Sequence, residues 1–172
     1  EVTSPRELDG HLETLQRVDW PAYWDEDFSD LEARARRLAQ SDYALMGNFA
    51  VHLFAGGQGL RGYEQFLEDL IAEKALAHAL LERLTEIFIE RYDRYHQSVG
   101  RYVQIVNVND DLGMNTSPLI SPALYREMLK PYHTRLFQHI KRTSDVSLFL
   151  HTDGSVYDLI PDLIEAGVDV LN

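Results

Sequence analysis

Cysteine is absent from this 172-residue chain. That excludes disulfides, thiolate metal sites and cysteine nucleophiles. Long apolar runs are absent too. No stretch approaches the ~18 consecutive apolar residues of a membrane-spanning helix. Basic residues are few: 16 Lys and Arg stand against 28 Asp and Glu, a formal net charge of -12. A nucleic-acid binder needs a concentrated Lys/Arg surface, and none is visible. No polybasic run offers itself to an anionic membrane. No secretory signal stands at the start. The chain opens EVTSPREL without Met, and it reads as a fragment of a longer protein. The expectation is a soluble, cytoplasmic protein with no nucleic-acid or membrane partner.

What is present supports a packed core. Hydrophobic residues make up 45% and charged residues 26%, a globular composition. The length suggests one domain. Residues 1–29 read as a loop-rich lead-in, with VDWPAYWDEDF pinned by its aromatics. A helix is predicted over 30–40 from DLEARARRLAQ. YALMGNF reads as a strand leaving through Gly47 and Asn48. AGGQGLRG has four glycines in eight residues, so it is expected to be a flexible loop or a place of close backbone approach. It lacks the GKS/T ending and the GxGxxG spacing of phosphate loops. Helices are predicted over 62–72 and 74–99. On the second, Leu76, Leu80, Leu84, Ile87, Phe88, Arg91 and Tyr95 share one face. YVQIVNV, at 102–108, is rich in β-branched residues and reads as a buried strand. Ser121 and Pro122 begin a single helix to 142. VSLFL is the next strand, Pro161 opens a short helix, and VDVLN is the last strand. Strands alternating with helices imply an α/β fold with a parallel sheet of about four strands. Part of a (β/α)8 barrel and a small doubly wound sheet both fit.

In either architecture the active site lies at the C-terminal strand ends. Those ends carry Asn48, Asn107, Asp110, Asp111, His151 and Asp153. Parallel neighbours lie about 4.8 Å apart, so these groups can converge on one ligand. His151 and Asp153 point the same way along an extended chain and could bind a divalent ion, with His151 also suited to acid–base work. A loop-shaping His–Asp hydrogen bond is the plainer alternative. Asp110 and Asp111 are adjacent and face opposite sides. One should face the cavity as an acid or base while the other braces the loop. His133 and His139 are expected to be surface or packing residues far from the rim.

DDLG, then LISPALYREMLKPYHTRLFQHIK and FLHTDGSVYDLIPDLIEAGVDVLN, resemble the uroporphyrinogen decarboxylase superfamily, as does LRGYEQFLEDL. The resemblance runs from about Trp20 onward. It implies a (β/α)8 TIM barrel, here an incomplete one, with 30–172 as its central part. It also implies one of two activities. The decarboxylases act on uroporphyrinogen without a cofactor. Their relatives move methyl groups between a corrinoid and an acceptor, often with zinc held by a His-x-Cys motif. His151 matches the family's histidine, and Asp153 stands where the cysteine would be. The decarboxylases' arginine-rich N-terminal segment is missing here, DDLG replaces their FDSWAG, and no tyrosine lies between Gly47 and Arg61.

The resemblance therefore implies a methyltransferase-like enzyme acting on a small molecule, with a corrinoid protein as partner. Asp111, Asp110 and His151 would be catalytic. Asn48, Asn107 and Asp153 would bind substrate. His151 and Asp153 would hold zinc or another divalent metal. A decarboxylase of porphyrin synthesis, needing no cofactor, is the alternative. A non-catalytic barrel fragment serving as a binding or assembly module is the third reading. A homo-oligomer is left open.

Overall fold

The computed structural model describes residues 30–172 together with Leu15, Val18, Trp20 and Phe28. The rest of the lead-in, including most of its aromatic loop, lies outside the described residues. Four strands form one sheet: β1 (Met46–Asn48), β2 (Ile105–Asn109), β3 (Ser147–His151) and β4 (Val170–Leu171). Helix α1 (Leu31–Leu38) precedes β1. Helices α2 (Leu53–Arg61), α3 (Tyr63–Ala72) and α4 (Lys74–Val99) link β1 to β2. Helices α5 (Pro122–Met128) and α6 (Lys130–Thr143) link β2 to β3. A 3-10 turn (Tyr157–Leu159) and α7 (Ile160–Ala166) lead into β4.

All three strand pairings are parallel, and the strands lie side by side in chain order. That order decides between the two architectures left open by the sequence. A doubly wound sheet reverses its strand order at a switch point, so that helices cover both faces. Crossovers of one hand in strict chain order put every helix on the same face, as in a barrel wall. Burial agrees. Val106 and Val108 on β2, and Leu148 and Leu150 on β3, are fully buried beneath the helices. Their alternating neighbours Ile105, Asn107, Asn109, Phe149 and His151 are only partly covered. The parallel α/β sheet is thus as expected, and it is one helix-covered wall of a barrel.

The core lies between sheet and helices. Every member of the predicted α4 stripe, from Leu76 to Tyr95, is buried. It packs with Leu136, Phe137 and Ile140 of α6.

Three expectations need correction. Of the two readings of AGGQGLRG the flexible one fails, because its residues 55–61 lie in helix α2, while close backbone approach holds. Its glycines serve close packing: a Cβ on Gly57 would lie 2.3 Å from the Phe66 ring. The single helix over 121–142 is two helices that meet at Leu129. Pro131 lacks an N–H and its ring crowds the carbonyl of the preceding turn, so a continuous helix is broken there. Finally, His133 is not remote from the rim's machinery. It is only 1% exposed, inside the wall.

A surface ion network locks α7 to α5 and α6. Asp162, itself buried, accepts from Arg126 Nε at 2.9 Å and from Lys130 Nζ at 2.8 Å. The hydrogen bond from Arg126, then that from Lys130, holds the Asp162 carboxyl below its usual value despite burial. The folded state therefore binds this proton less readily than the unfolded chain. The stabilisation is present above the unfolded value of about 3.9 and fades as pH falls through the lower folded value. Asp162→Asn should flatten the acid limb of a stability–pH profile below about pH 4, measured by urea unfolding at stepped pH. An unchanged acid limb would show that the network contributes nothing.

Candidate active site at the strand ends

The β2 and β3 registers set the site. Asn109 pairs with His151, and Asn107 with Phe149. Asn48 on β1 pairs with Asn107. Beyond β2 the chain turns through Asp110 and Asp111, and beyond β3 through Thr152 and Asp153. Two backbone bonds stitch these loops: Asp110 N–H donates to His151 C=O at 3.0 Å, and Gly113 N–H to Asp153 C=O at 3.1 Å. A third comes from Ser155 N–H to Met114 C=O at 2.6 Å. Thr152 Oγ1, buried between the loops, accepts Leu112 N–H at 2.9 Å.

This stitching needs glycine at 113 and at 154: a Cβ on Gly113 would lie 2.6 Å from the Asp153 carbonyl oxygen. Gly154 has φ +82, and a Cβ there would lie 2.4 Å from the Gly113 carbonyl carbon. Gly154→Ala meets both the left-handed penalty of about 1–2 kcal/mol and a backbone clash. We expect it to cost about 2–4 kcal/mol in urea unfolding. A loss below half a kilocalorie would show that the loops can part cheaply.

The stitched loops bring Asp111, His151 and Asp153 together. One ligand atom from each lies within 4.8 Å of the others. Asp111 and Asp153 are exposed and His151 is half-buried. Asp153 N–H donates to Asp111 Oδ1 at 3.1 Å. His151 Nδ1 is 2.7 Å from Asn172 Oδ1. An amide oxygen can only accept, so in the neutral ring Nδ1 carries the proton. Nε2 keeps its lone pair, 3.7 Å from Asp153 Oδ1. A histidine whose second nitrogen is tied to an oxygen acceptor is the usual arrangement of a metal-binding imidazole. One imidazole and two carboxylates suit zinc, manganese or iron(II). The donor set therefore fits a divalent ion.

Asn48 and Asn107 sit about 7 Å deeper, two residues back along the strands. Asn107 Nδ2 donates to Asn48 Oδ1 at 3.0 Å and to Asn109 Oδ1 at 3.5 Å. Asn107 Oδ1 is buried without a hydrogen-bond partner. The mouth is thus lined by amides, two acids and one imidazole, with no cationic side chain among them.

Asp110 is not in this group. It lies 2% exposed beneath the rim, so its side chain is on the opposite face from Asp111, as their adjacency in an extended backbone requires. Its carboxylate accepts Phe54 N–H at 2.7 Å and Ala55 N–H at 2.9 Å, the first turn of α2. It also receives His133 Nε2 at 3.0 Å. Sequence reasoning missed His133, Thr152 and Asn172. Nothing local marks them, because each meets its partner through the tertiary fold. His139, by contrast, packs as expected, 2.7 Å from Asp93.

The uroporphyrinogen decarboxylase (URO-D) family model matches residues 45–172. Uroporphyrinogen decarboxylases from two strains of Thermus thermophilus are each 34% identical over 122 residues, which is 71% of this chain and 33% of theirs. The chain thus spans about a third of the length of these relatives. A methyltransferase from Methanosarcina mazei shares the fold, with a TM-score of 0.66 and 19% identity over 98% of this chain and 46% of that protein. No helix among the described residues is long and apolar enough to cross a membrane. On the family match, on its parallel barrel wall and on the polar strand ends that wall carries, this chain belongs to the uroporphyrinogen decarboxylase family.

Proposed function

We propose that the chain carries part of the active site of a methyltransferase-like enzyme of this family, assisted by a divalent metal. The observation that carries the reading is the convergence of Asp111, His151 and Asp153 within 4.8 Å, with His151 Nε2 left as a lone-pair donor by its bond to Asn172. These three residues would hold the ion. A bound divalent ion would stabilise the deprotonated form of an acceptor such as a thiol. His151, through the ion, would orient the acceptor, and Asp111 would take its proton on the carboxylate oxygen that the ion leaves free. Asn48, Asn107 and Asn109 would fix the larger ligand by hydrogen bonds. A corrinoid delivered by a partner protein suits the three asparagines of this wall, because its own rim bears amides.

The second reading is a uroporphyrinogen decarboxylase, favoured by the 34% identity to the Thermus thermophilus enzymes. Uroporphyrinogen carries eight carboxylates, which call for Arg or Lys partners. Among the described residues Arg91 reaches the exit of β1, at Ala50 C=O, but it is buried, and the mouth itself carries no Arg or Lys. The test is direct. The full-length protein is assayed for metal-dependent methyl transfer from methylcobalamin to a panel of thiols, and for turnover of uroporphyrinogen. Methyl transfer abolished by chelation supports the first reading. Uroporphyrinogen turnover that survives chelation overturns it in favour of the second. Inactivity in both leaves a binding or assembly module as the better description.

A further inference from the structure

Three buried side chains behind the site form one continuous hydrogen-bonded chain. Tyr125 on α5, His133 on α6 and Asp110 at the end of β2 are 0%, 1% and 2% exposed. Tyr125 Oη lies 3.1 Å from His133 Nδ1, and His133 Nε2 lies 3.0 Å from Asp110 Oδ2. The proton positions follow from the chemistry of the ends. Asp110 already accepts two backbone N–H groups, so it is an acceptor toward His133, and Nε2 must carry a proton. Burial, then the nearby Asp110 charge, pushes the Tyr125 hydroxyl well above its ordinary value. It stays protonated and can donate to Nδ1. With Nε2–H toward Asp110 and the Tyr125 hydroxyl toward Nδ1, both ring nitrogens have a partner. Its ring is further pinned by stacking on Phe137, with centroids 5.1 Å apart and planes at 11°.

The chain ends on the residue that joins three strand ends. Asp110 belongs to the exit of β2. Through Phe54 and Ala55 it grips the helix that follows β1. Through its own N–H it grips the His151 carbonyl at the end of β3. Asp111, the next residue, accepts Asp153 N–H. We infer that His133, oriented by Tyr125, is the positioning residue of this site: it fixes Asp110, and Asp110 fixes the backbone from which Asp111, His151 and Asp153 project. His133 touches neither ligand nor reacting atoms. Its effect on the metal arm below rests on the metal reading proposed above, but its effect on local backbone order does not.

The test uses the full-length protein. Selective 15N labelling of histidine should show His133 with Nε2 protonated and Nδ1 bare. His133→Ala should raise amide hydrogen exchange at Phe54, Ala55, Asp110 and Asp153 by about 10- to 100-fold, with α4 amides unchanged. His133→Gln, whose Nε2 can still donate to Asp110, should recover most of the protection. In the same series Mn2+ affinity should fall about 10-fold in His133→Ala and return in His133→Gln. Should His133→Ala not fold, Tyr125→Phe removes one hydroxyl and should still raise exchange at Asp110 about threefold. An Nδ1-protonated His133, unchanged exchange at Asp110 and Asp153, or a Gln variant no better than Ala would each overturn the assignment. Wild-type protein that binds no Mn2+ would end the metal reading alone, because the exchange measurements decide this proposal without it.

Discussion

Replacing Asp110 with Ala should lower the unfolding free energy by about 4 kcal/mol, while Asp111→Ala, one residue on, should cost less than about 1 kcal/mol. The two acids are neighbours in sequence and opposites in environment. Asp110 accepts from Phe54 N–H and His133 Nε2–H in the interior and from Ala55 N–H, which is part-buried. Removing the carboxylate leaves these donors without it and uncaps α2, whose first turn takes no side-chain cap from His52. A buried donor left unsatisfied costs about 1–3 kcal/mol, and an absent cap about 1. Asp111 is exposed, and water can replace what it offers Asp153 N–H. Asp110→Asn keeps one carbonyl acceptor but turns an amide donor on its partners, so it should fall between. Urea unfolding of the three variants gives the comparison. Equal costs at the two positions would mean that the interior network is not what holds the strand ends.

The second large effect is on binding. In His151→Ala, Mn2+ or Zn2+ affinity should fall by more than about 100-fold, since even an outer partner of a metal ligand is worth about 10- to 100-fold. The fold should survive, because His151 is half-buried and its side chain faces the open side of the wall. Asn172→Ala removes only the acceptor that orients the ring, so its loss should be smaller, about 10-fold. Asp111→Asn and Asp153→Asn keep the shape and remove one charge each, and should weaken the ion without unfolding the chain. Isothermal titration of full-length protein resolves the series. A His151→Ala variant that binds as tightly as wild type would move the ion, if any, to another place.

Much of the layout was legible from residues alone. Mostly apolar strands such as IVNV and SLFL, separated by amphipathic helices, mean a parallel sheet, because parallel neighbours need crossover helices and those helices cover one face. The polar groups clustered where those strands end for the same reason: the interior has no room for them, and the rim does. The adjacency of Asp110 and Asp111 already required that they part company, one inward and one outward. Which of them went inward was not legible. That depended on α2 starting opposite β2, so that its bare N–H groups needed an acceptor there.

The flexible reading of the glycine-rich segment failed for a related reason. Glycines lower helix propensity, but Gly57 admits the Phe66 ring at a distance no Cβ would allow, and helix–helix packing outweighs the local preference. His133 sat on a helix with no sign of function, since its partners lie 8 and 23 residues away in the chain. The sequence by itself determined the α/β class, the family and the residues that stand at the strand ends, because periodicity and motif are local properties of a chain. The tertiary structure alone decided the helix-covered wall, the meeting of Asp111 with His151 and Asp153, and the inward turn of Asp110. Those depend on strand register and on which buried donors lack an acceptor, and both exist only once distant segments are packed together.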